Sequence, residues 1–172
     1  VFFAIDLADA LVHSQLREWL FATTTNLNVQ TNDLELLRRI QTNARLISLI
    51  QETALLQPAD FRGIRDERGT LQAGAIVTEM NDHLYLDYIA TAPWNLIPTL
   101  PNYCQGAAKS LIHSIVRESS DRGYNGRIIV DAVGSAGFYR KMGFVETGEG
   151  SVNAPEMVLT SEAAKKLMEE NV

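Results

Sequence analysis

The sequence predicts one α/β layer fold of the α+β kind, with a mostly antiparallel central sheet flanked by helices. Three observations lead there. First, the patterned segments run in the order helices, antiparallel meander, helix, strand, helix, strand, an order that a layered domain accommodates. Second, three consecutive strand-like runs are joined by links too short for a parallel crossover. Third, 172 residues with 46% apolar and 21% charged side chains can bury one proper core and are too few for two. The expectation is a single domain over residues 1–172.

Val1 to Ile5 is a short apolar run suited to a first strand. Asp6 or Asp9 then caps a helix whose residues Leu11, Leu16, Trp19 and Leu20 share a face. Thr23 to Asn32 reads as a polar connection, and Thr31, Asn32 and Asp33 offer cap residues for a second helix. In that helix Leu37, Ile40, Ala44 and Ile47 recur at three- and four-residue steps, which aligns them on one stripe. Phe61 to Arg65, Leu71 to Met80 and Leu84 to Ala90 predict three strands, turned at Glu67-Arg68-Gly69 and Asn81-Asp82. After a proline-punctuated loop from Pro93 to Pro101, a helix is expected from Gly106 to Ser119, with Leu111, Ile112, Ile115 and Val116 inward. Arg127 to Asp131 predicts a strand, Phe138 to Met142 a short helix, Glu156 to Leu159 the last strand and Ser161 to Glu170 a polar terminal helix.

Composition narrows the function classes. A formal net charge of −6 argues against a nucleic-acid partner, which calls for a basic stripe. An acidic surface suits cationic substrates such as amines, although many proteins are acidic for solubility alone. The one cysteine, Cys104, cannot form an internal disulfide, so a reducing, cytoplasmic setting is expected. No apolar run approaches a membrane span, and Val1 to Ile5 is too short for a signal segment, so no membrane partner is expected. His13, His83 and His113 show no ligand spacing with Cys104, and no metal site is inferred.

The chemistry concentrates in two segments. In the first, the strand end Tyr88-Ile89-Ala90-Thr91-Ala92-Pro93 leads to Tyr103-Cys104-Gln105-Gly106-Ala107-Ala108-Lys109 at a helix start. Small residues there let an anion approach the backbone, and the first turn presents N–H groups and the positive end of the dipole. Gly and Ala also open helices that bind nothing, so the segment alone leaves both readings open. In the second, Phe138 and Met142 lie one turn apart and pack inward, while Gly143 stops the helix and lets Phe144 begin a strand. Alone, this is an ordinary helix-to-strand connection.

In this order, with a strand between them, the two segments resemble the GNAT superfamily of acyl-CoA-dependent N-acetyltransferases. The acyl-CoA loop of that family, R/Q-x-x-G-x-G/A, is met at Gly106 and Ala108 and departed from at Tyr103, which stands where Arg or Gln is usual. The later element FYxxxGF is matched without a gap from Phe138 through Phe144. Ala132 stands where many members have an Asn that helps hold the cofactor, and the loop from Pro93 to Tyr103 is longer than usual. As a strand and helix order, the resemblance covers roughly residues 61–159; before Phe61 it is topological only.

The resemblance implies acetyl-CoA as cofactor, bound at Tyr103, Cys104, Gln105, Gly106, Ala107, Ala108 and Lys109. It implies a sheet splayed at the acyl-CoA-binding strand, where the backbone of Ile89, Ala90 and Thr91 pairs with the pantetheine arm. Lys109 and Lys141 contact cofactor phosphates or are solvated, and Cys104 is a packing residue rather than a nucleophile. Phe138 and Tyr139 lie at the cofactor, and Tyr139 matches the tyrosine that protonates the departing thiolate, a role compatible with a phenol still protonated at neutral pH; packing on the cofactor is the alternative. Asp87, on the strand leading to the loop and sharing a face with Tyr85 and Ile89, is the base candidate; a solvated strand carboxylate is the alternative, and Glu79 is the other carboxylate near by in sequence.

The function expected is therefore transfer of acetyl to a primary amine of a small molecule or peptide by direct attack, with room for a homodimer. A second expectation is a GNAT-fold module that binds acyl-CoA or a protein without catalysis. A third is an unrelated α/β domain whose loop takes another phosphate ligand, against which stand the antiparallel meander and the lack of G-x-G-x-x-G after a strand.

Overall fold

Several helices begin where a carboxylate or hydroxyl meets unpaired backbone N–H groups. The computed structural model describes residues 1–25 and 32–170. After strand β1 (Phe3–Ile5), helix α1 (Ala10–Thr25) starts at Asp9, whose Oδ1 accepts from Val12 N at 2.9 Å. Helix α2 (Leu34–Leu56) starts at Asp33, which accepts from Leu36 N at 3.1 Å. A turn of 3-10 helix at Pro58–Asp60 leads into the meander β2 (Phe61–Arg65), β3 (Leu71–Glu79) and β4 (Leu84–Thr91). A second such turn, Pro93–Leu96, precedes α3 (Ala107–Asp121). The chain continues with β5 (Ile128–Asp131), α4 (Ala136–Lys141), β6 (Phe144–Gly150) and β7 (Pro155–Leu159), and ends in α5 (Ser161–Glu169), capped by Thr160.

The seven strands run in hydrogen-bonded order β1-β2-β3-β4-β5-β7-β6. The pairs β1–β2, β2–β3, β5–β7 and β6–β7 are antiparallel, and β4–β5 is parallel. The sheet is thus mixed and mostly antiparallel, with helices beside it, as the sequence pattern predicts. The parallel register covers Leu84–Leu86 against Ile128–Val130, and β4 runs on through Thr91.

Two compact units make up the chain, Val1–Ile76 with Tyr88–Leu111, and Val77–Asp87 with Ile112–Val172. The core of the first gathers Val12, Leu16 and Trp19 of α1, Ile47, Ile50 and Ala54 of α2, and Phe61, Leu71, Ile76 and Ala90 of the strands. Gly63 and Gly74 face one another across β2 and β3, and each leaves space that the Phe61 ring fills. A Cβ on Gly63 would lie 2.8 Å from Phe61 Cε1, and one on Gly74 would lie 3.1 Å from Cε2. In the second unit the buried residues include Leu84, Leu86, Ile115, Val116, Ile128, Val130, Phe144, Met157 and Leu159.

Both N-terminal helices differ from the expected stripes. Leu11 is 50% exposed, and Val12 takes its place on the buried face of α1, because Val12, Leu16 and Trp19 keep the four- and three-residue steps. Helix α1 also runs to Thr25 rather than ending near Thr23: the Thr23 hydroxyl donates to Trp19 O at 2.9 Å, which lets a polar residue continue the helix. In α2 the buried residues are Ile40, Asn43, Ile47, Ile50 and Ala54, while Leu37 and Ala44 remain partly exposed. The rest of the expected connection, including Thr31 as a cap candidate, lies outside the described residues. Among the described residues no helix is long and apolar enough to cross a membrane.

Candidate functional site

At the end of β4 the backbone is held by side chains from other elements. Thr91 N donates to Asn43 Oδ1 at 3.1 Å, and Asn43 Nδ2 donates to Thr91 O at 2.9 Å. Both backbone groups of Thr91 are therefore hydrogen-bonded within the chain. Ile89 is half-buried and Ala90 is buried in the core of its unit.

The next residue but one in the chain enters the long loop, and Gln72 of β3 organises it. Gln72 is 3% exposed. Its backbone carbonyl accepts from Ala92 N at 2.9 Å and from the Thr91 hydroxyl at 3.1 Å. Its side-chain Oε1 accepts from Trp94 Nε1 at 3.1 Å and from Asn95 Nδ2 at 2.8 Å, while its Nε2 donates to Asp66 Oδ2 at 2.9 Å. Asn95 Oδ1 in turn accepts from Cys104 N at 2.7 Å. Burial would raise the Asp66 carboxyl, but hydrogen bonds from the Gln72 amide and from the Thr70 and Arg68 N–H groups outweigh it, helped by the Arg68 charge, and hold it below the usual carboxylate range.

Two residues beyond Cys104 the chain turns into α3. Gly106 has φ +84°, a left-handed conformation that glycine adopts without strain, and its carbonyl accepts from Ser110 N at 2.9 Å as the first bond of the helix. A Cβ built there would meet nothing within 4 Å, so the outer side of the turn is open. Gln105, Gly106 and Lys109 are exposed, Tyr103, Cys104 and Ala108 are half-buried, and Ala107 is buried. The first-turn N–H groups of a helix have no acceptor within it. The Cys104 thiol is pushed up by burial and by the Asp66 carboxylate, so it stays protonated at neutral pH and is a poor nucleophile.

The remaining expected site residues, Asp87, Phe138 and Tyr139, belong to the second unit. Tyr85 and Asp87 are half-buried and alternate with the buried Leu84 and Leu86, the alternation of a strand with one face on the core. Asp87 Oδ2 accepts from the Thr78 hydroxyl at 2.6 Å. The Tyr85 hydroxyl donates to Asp131, and burial first, then Asp131, Asp87 and Glu156, push that hydroxyl far up. A short array of acidic groups on β4, β5 and β7 thus surrounds one phenol.

Tyr139 is 1% exposed. Its ring packs edge-on against Phe138, with centroids 5.3 Å apart, and against Phe144 at 5.2 Å. Burial pushes its hydroxyl well up, against the effect of a hydrogen bond with Ser135, so it is a phenol at neutral pH. Beside α4 a cleft of about 680 Å³ is lined by Ala132, Ser135, Arg140, Glu146 and Glu149, with Arg140 and Glu146 ion-paired at 2.6 Å. Ala132, at the departure from the family pattern, contributes only a methyl group to its wall. Lys141 is exposed.

Sequence reasoning missed Asn43, Gln72 and Asn95. For the first two a signal exists: Asn43 interrupts the apolar stripe between Ile40 and Ile47, and Gln72 interrupts the run Leu71 to Val77. A polar residue at a core position calls for a partner. Asn95 has no such signal, because loops are rich in Asn whatever they do. Among the described residues no group of three or more His, Cys, Asp or Glu side chains is placed to hold a metal ion.

No protein-family model matches the chain, and no curated protein matches it. Solved structures do resemble it. N-acetylglutamate synthase from Neisseria gonorrhoeae, complexed with coenzyme A and N-acetyl-glutamate, matches with a TM-score of 0.59 and 10% identity, covering 93% of this chain. This chain spans only 35% of that protein's length. A GNAT-family acetyltransferase from Staphylococcus aureus Mu50 matches with a TM-score of 0.54 and 11% identity over 92% of this chain and 98% of that one. The PaiA N-acetyltransferase from Thermoplasma acidophilum, in complex with coenzyme A, matches with a TM-score of 0.53 and 14% identity over the same shares, 92% and 98%. With the strand order and the elements before and after α3 already in view, these likenesses establish that the chain has the fold of the GNAT acetyltransferases.

Proposed function

We propose that this chain is an acetyl-CoA-dependent N-acetyltransferase that delivers acetyl to a primary amine of a small molecule or peptide by direct attack. The observation that carries the reading is the start of α3. A left-handed Gly106 with an open outer side, followed by Ala107 and Ala108, suits a pyrophosphate, which needs close access to backbone N–H groups. The residues from Tyr103 to Lys109 would hold that group mainly through the backbone, since Tyr103 stands where the family has Arg or Gln. With Thr91 engaged by Asn43, the pantetheine-pairing role contracts to Ile89 and Ala90.

Bound acetyl-CoA supplies the thioester. Asp87, oriented by the Thr78 hydroxyl, accepts the proton that the amine loses, directly or through a water. Tyr139 holds a phenolic proton at neutral pH and gives it to the departing thiolate, and Phe138 packs beside it. The nitrogen–carbon bond forms as the carbon–sulfur bond breaks, one proton leaves the amine and one reaches sulfur, and no covalent enzyme intermediate is needed.

One observation favours a second reading, a module that binds acyl-CoA without turnover: Tyr139 is enclosed by Phe138 and Phe144. An acceptor screen separates the two. Acetyl-CoA is incubated with polyamines, aminoglycosides, amino acids and peptides, and release of free thiol is followed. Amine-dependent release supports the enzyme; CoA binding with no release across the panel favours the module.

A further inference from the structure

The loop from Ala92 to Gly106 is longer than the chemistry of a phosphate loop requires, and a long loop at a ligand site is an entropic burden unless something fixes it. Here one side chain closes it. Asn95 Oδ1 takes the Cys104 N–H at 2.7 Å, so the excursion between these two residues is pinched at its base. Asn95 Nδ2 is bonded at 2.8 Å to the buried Gln72 Oε1 and at 3.3 Å to the Gln72 carbonyl, which anchors that base to β3.

The direction of this chain of bonds is dictated from its far end. The Asp66 carboxylate only accepts, so Gln72 must turn its NH₂ toward it. The Trp94 indole only donates, so Gln72 must turn Oε1 toward it, which is the same orientation. Gln72 Oε1 then calls for a donor from Asn95, and the Asn95 oxygen is left facing the Cys104 N–H. Each amide has one orientation that satisfies all its neighbours, and the run Asp66–Gln72–Asn95–Cys104 is polarised from one end to the other. Cys104 lies two residues before Gly106, and the helix opening follows directly.

We propose that Asn95 is a positioning residue for the CoA pyrophosphate: it clamps Cys104 to Gln72 and so presets the backbone at Gly106. This rests on the acetyl-CoA reading above and adds to it a residue that touches no ligand. A binding site already in its bound conformation loses less entropy on binding, so cutting the clamp weakens CoA binding while the fold remains.

The test is calorimetric titration of the whole chain with CoA and with 3′-phosphoadenosine 5′-diphosphate, which carries the pyrophosphate without the pantetheine arm. Wild type, Asn95→Ala and Asn95→Asp are compared, each with a thermal melt. Absence of CoA binding by the wild type would sink the cofactor reading itself. Given wild-type binding, the clamp predicts that Asn95→Ala loses about tenfold or more in affinity for both ligands, roughly one hydrogen bond's net contribution, with most of the protein still folded. Asn95→Asp keeps an acceptor for Cys104 but cannot donate to Gln72, and a several-fold loss is expected there too; it serves if the alanine variant does not fold. Affinities within twofold of wild type in a folded variant, or a loss for CoA that the pyrophosphate fragment does not share, would overturn the proposal. Hydrogen exchange gives an independent readout: the Cys104 amide should exchange faster in Asn95→Ala, and an unchanged rate would also count against the clamp.

Discussion

Asn43 and Thr91 form a closed pair: the Asn43 carboxamide accepts the Thr91 N–H at 3.1 Å and donates to the Thr91 carbonyl at 2.9 Å. An asparagine on α2 thus replaces a neighbouring strand at the last residue of β4. It satisfies two backbone groups that a sheet would otherwise leave open.

Asn43→Leu keeps the branched shape of the side chain and removes both bonds. Thr91 would then present an unpaired donor and acceptor in a mostly buried place, at a cost of about 1–3 kcal/mol for each group left unsatisfied. The denaturation midpoint should fall clearly in a urea titration. A midpoint equal to wild type would mean that water serves Thr91 equally well.

Asp66 gives a pH signature. Its carboxyl is held below the ordinary value of 3.8 by the Gln72 amide and the Thr70 and Arg68 N–H groups, which outweigh the opposing effect of burial. A depressed folded value means that the contribution to stability is complete above the ordinary value and is lost as pH falls through the folded one. Asp66→Asn should therefore flatten the decline in stability below pH 3.8 and leave its shape at higher pH unchanged. Melting curves across acid pH check this, and an identical acid decline in the variant would exclude Asp66 as a contributor.

In the proposed reaction Asp87 takes the proton from the amine. Acetylation by the wild type should rise with pH through the neutral to alkaline range, and Asp87→Asn should lower the rate and change that profile. The assay requires an acceptor found by the thiol-release screen. A variant with full rate and the same profile removes Asp87 from the reaction.

Tyr139→Phe keeps the ring between Phe138 and Phe144 and deletes the proton. As a general acid Tyr139 should contribute roughly tenfold to a thousandfold to kcat, with little change in CoA affinity. Single-turnover measurement is needed, because slow product release hides a chemical defect. Wild-type chemistry in the variant would make Tyr139 a packing residue, the role its burial already fills.

The strands of the meander, the start of α3 and the segment from Phe138 to Phe144 were legible in the sequence because local rules decide them. Turn residues at Glu67-Arg68-Gly69, a glycine before an apolar helix, and an aromatic one turn from Met142 each act within a few residues. The face of α1 was less legible: Leu11 and Val12 are adjacent and both apolar, and only packing against the strands selects Val12. The partners of Asn43, Gln72 and Asn95 were not legible at all, since most of these bonds join elements distant in sequence and the rest depend on how a loop folds back. Thr91 illustrates the consequence. Its position at the end of β4 can be read from the pattern, but the engagement of its backbone cannot.

CoA is proposed to bind on the backbone at Gly106. Valine there would have open space around its Cβ but would be forced to φ +84°, and in the proposed site its branched side chain would crowd the backbone that the pyrophosphate approaches. Calorimetric titration of wild type and Gly106→Val with CoA is the most direct measurement. Wild type should bind one CoA per chain, and the variant should lose about tenfold or more in affinity, roughly what blocking one backbone contact removes. Equal affinity in a folded Gly106→Val protein, or no binding by the wild type, would contradict the proposal.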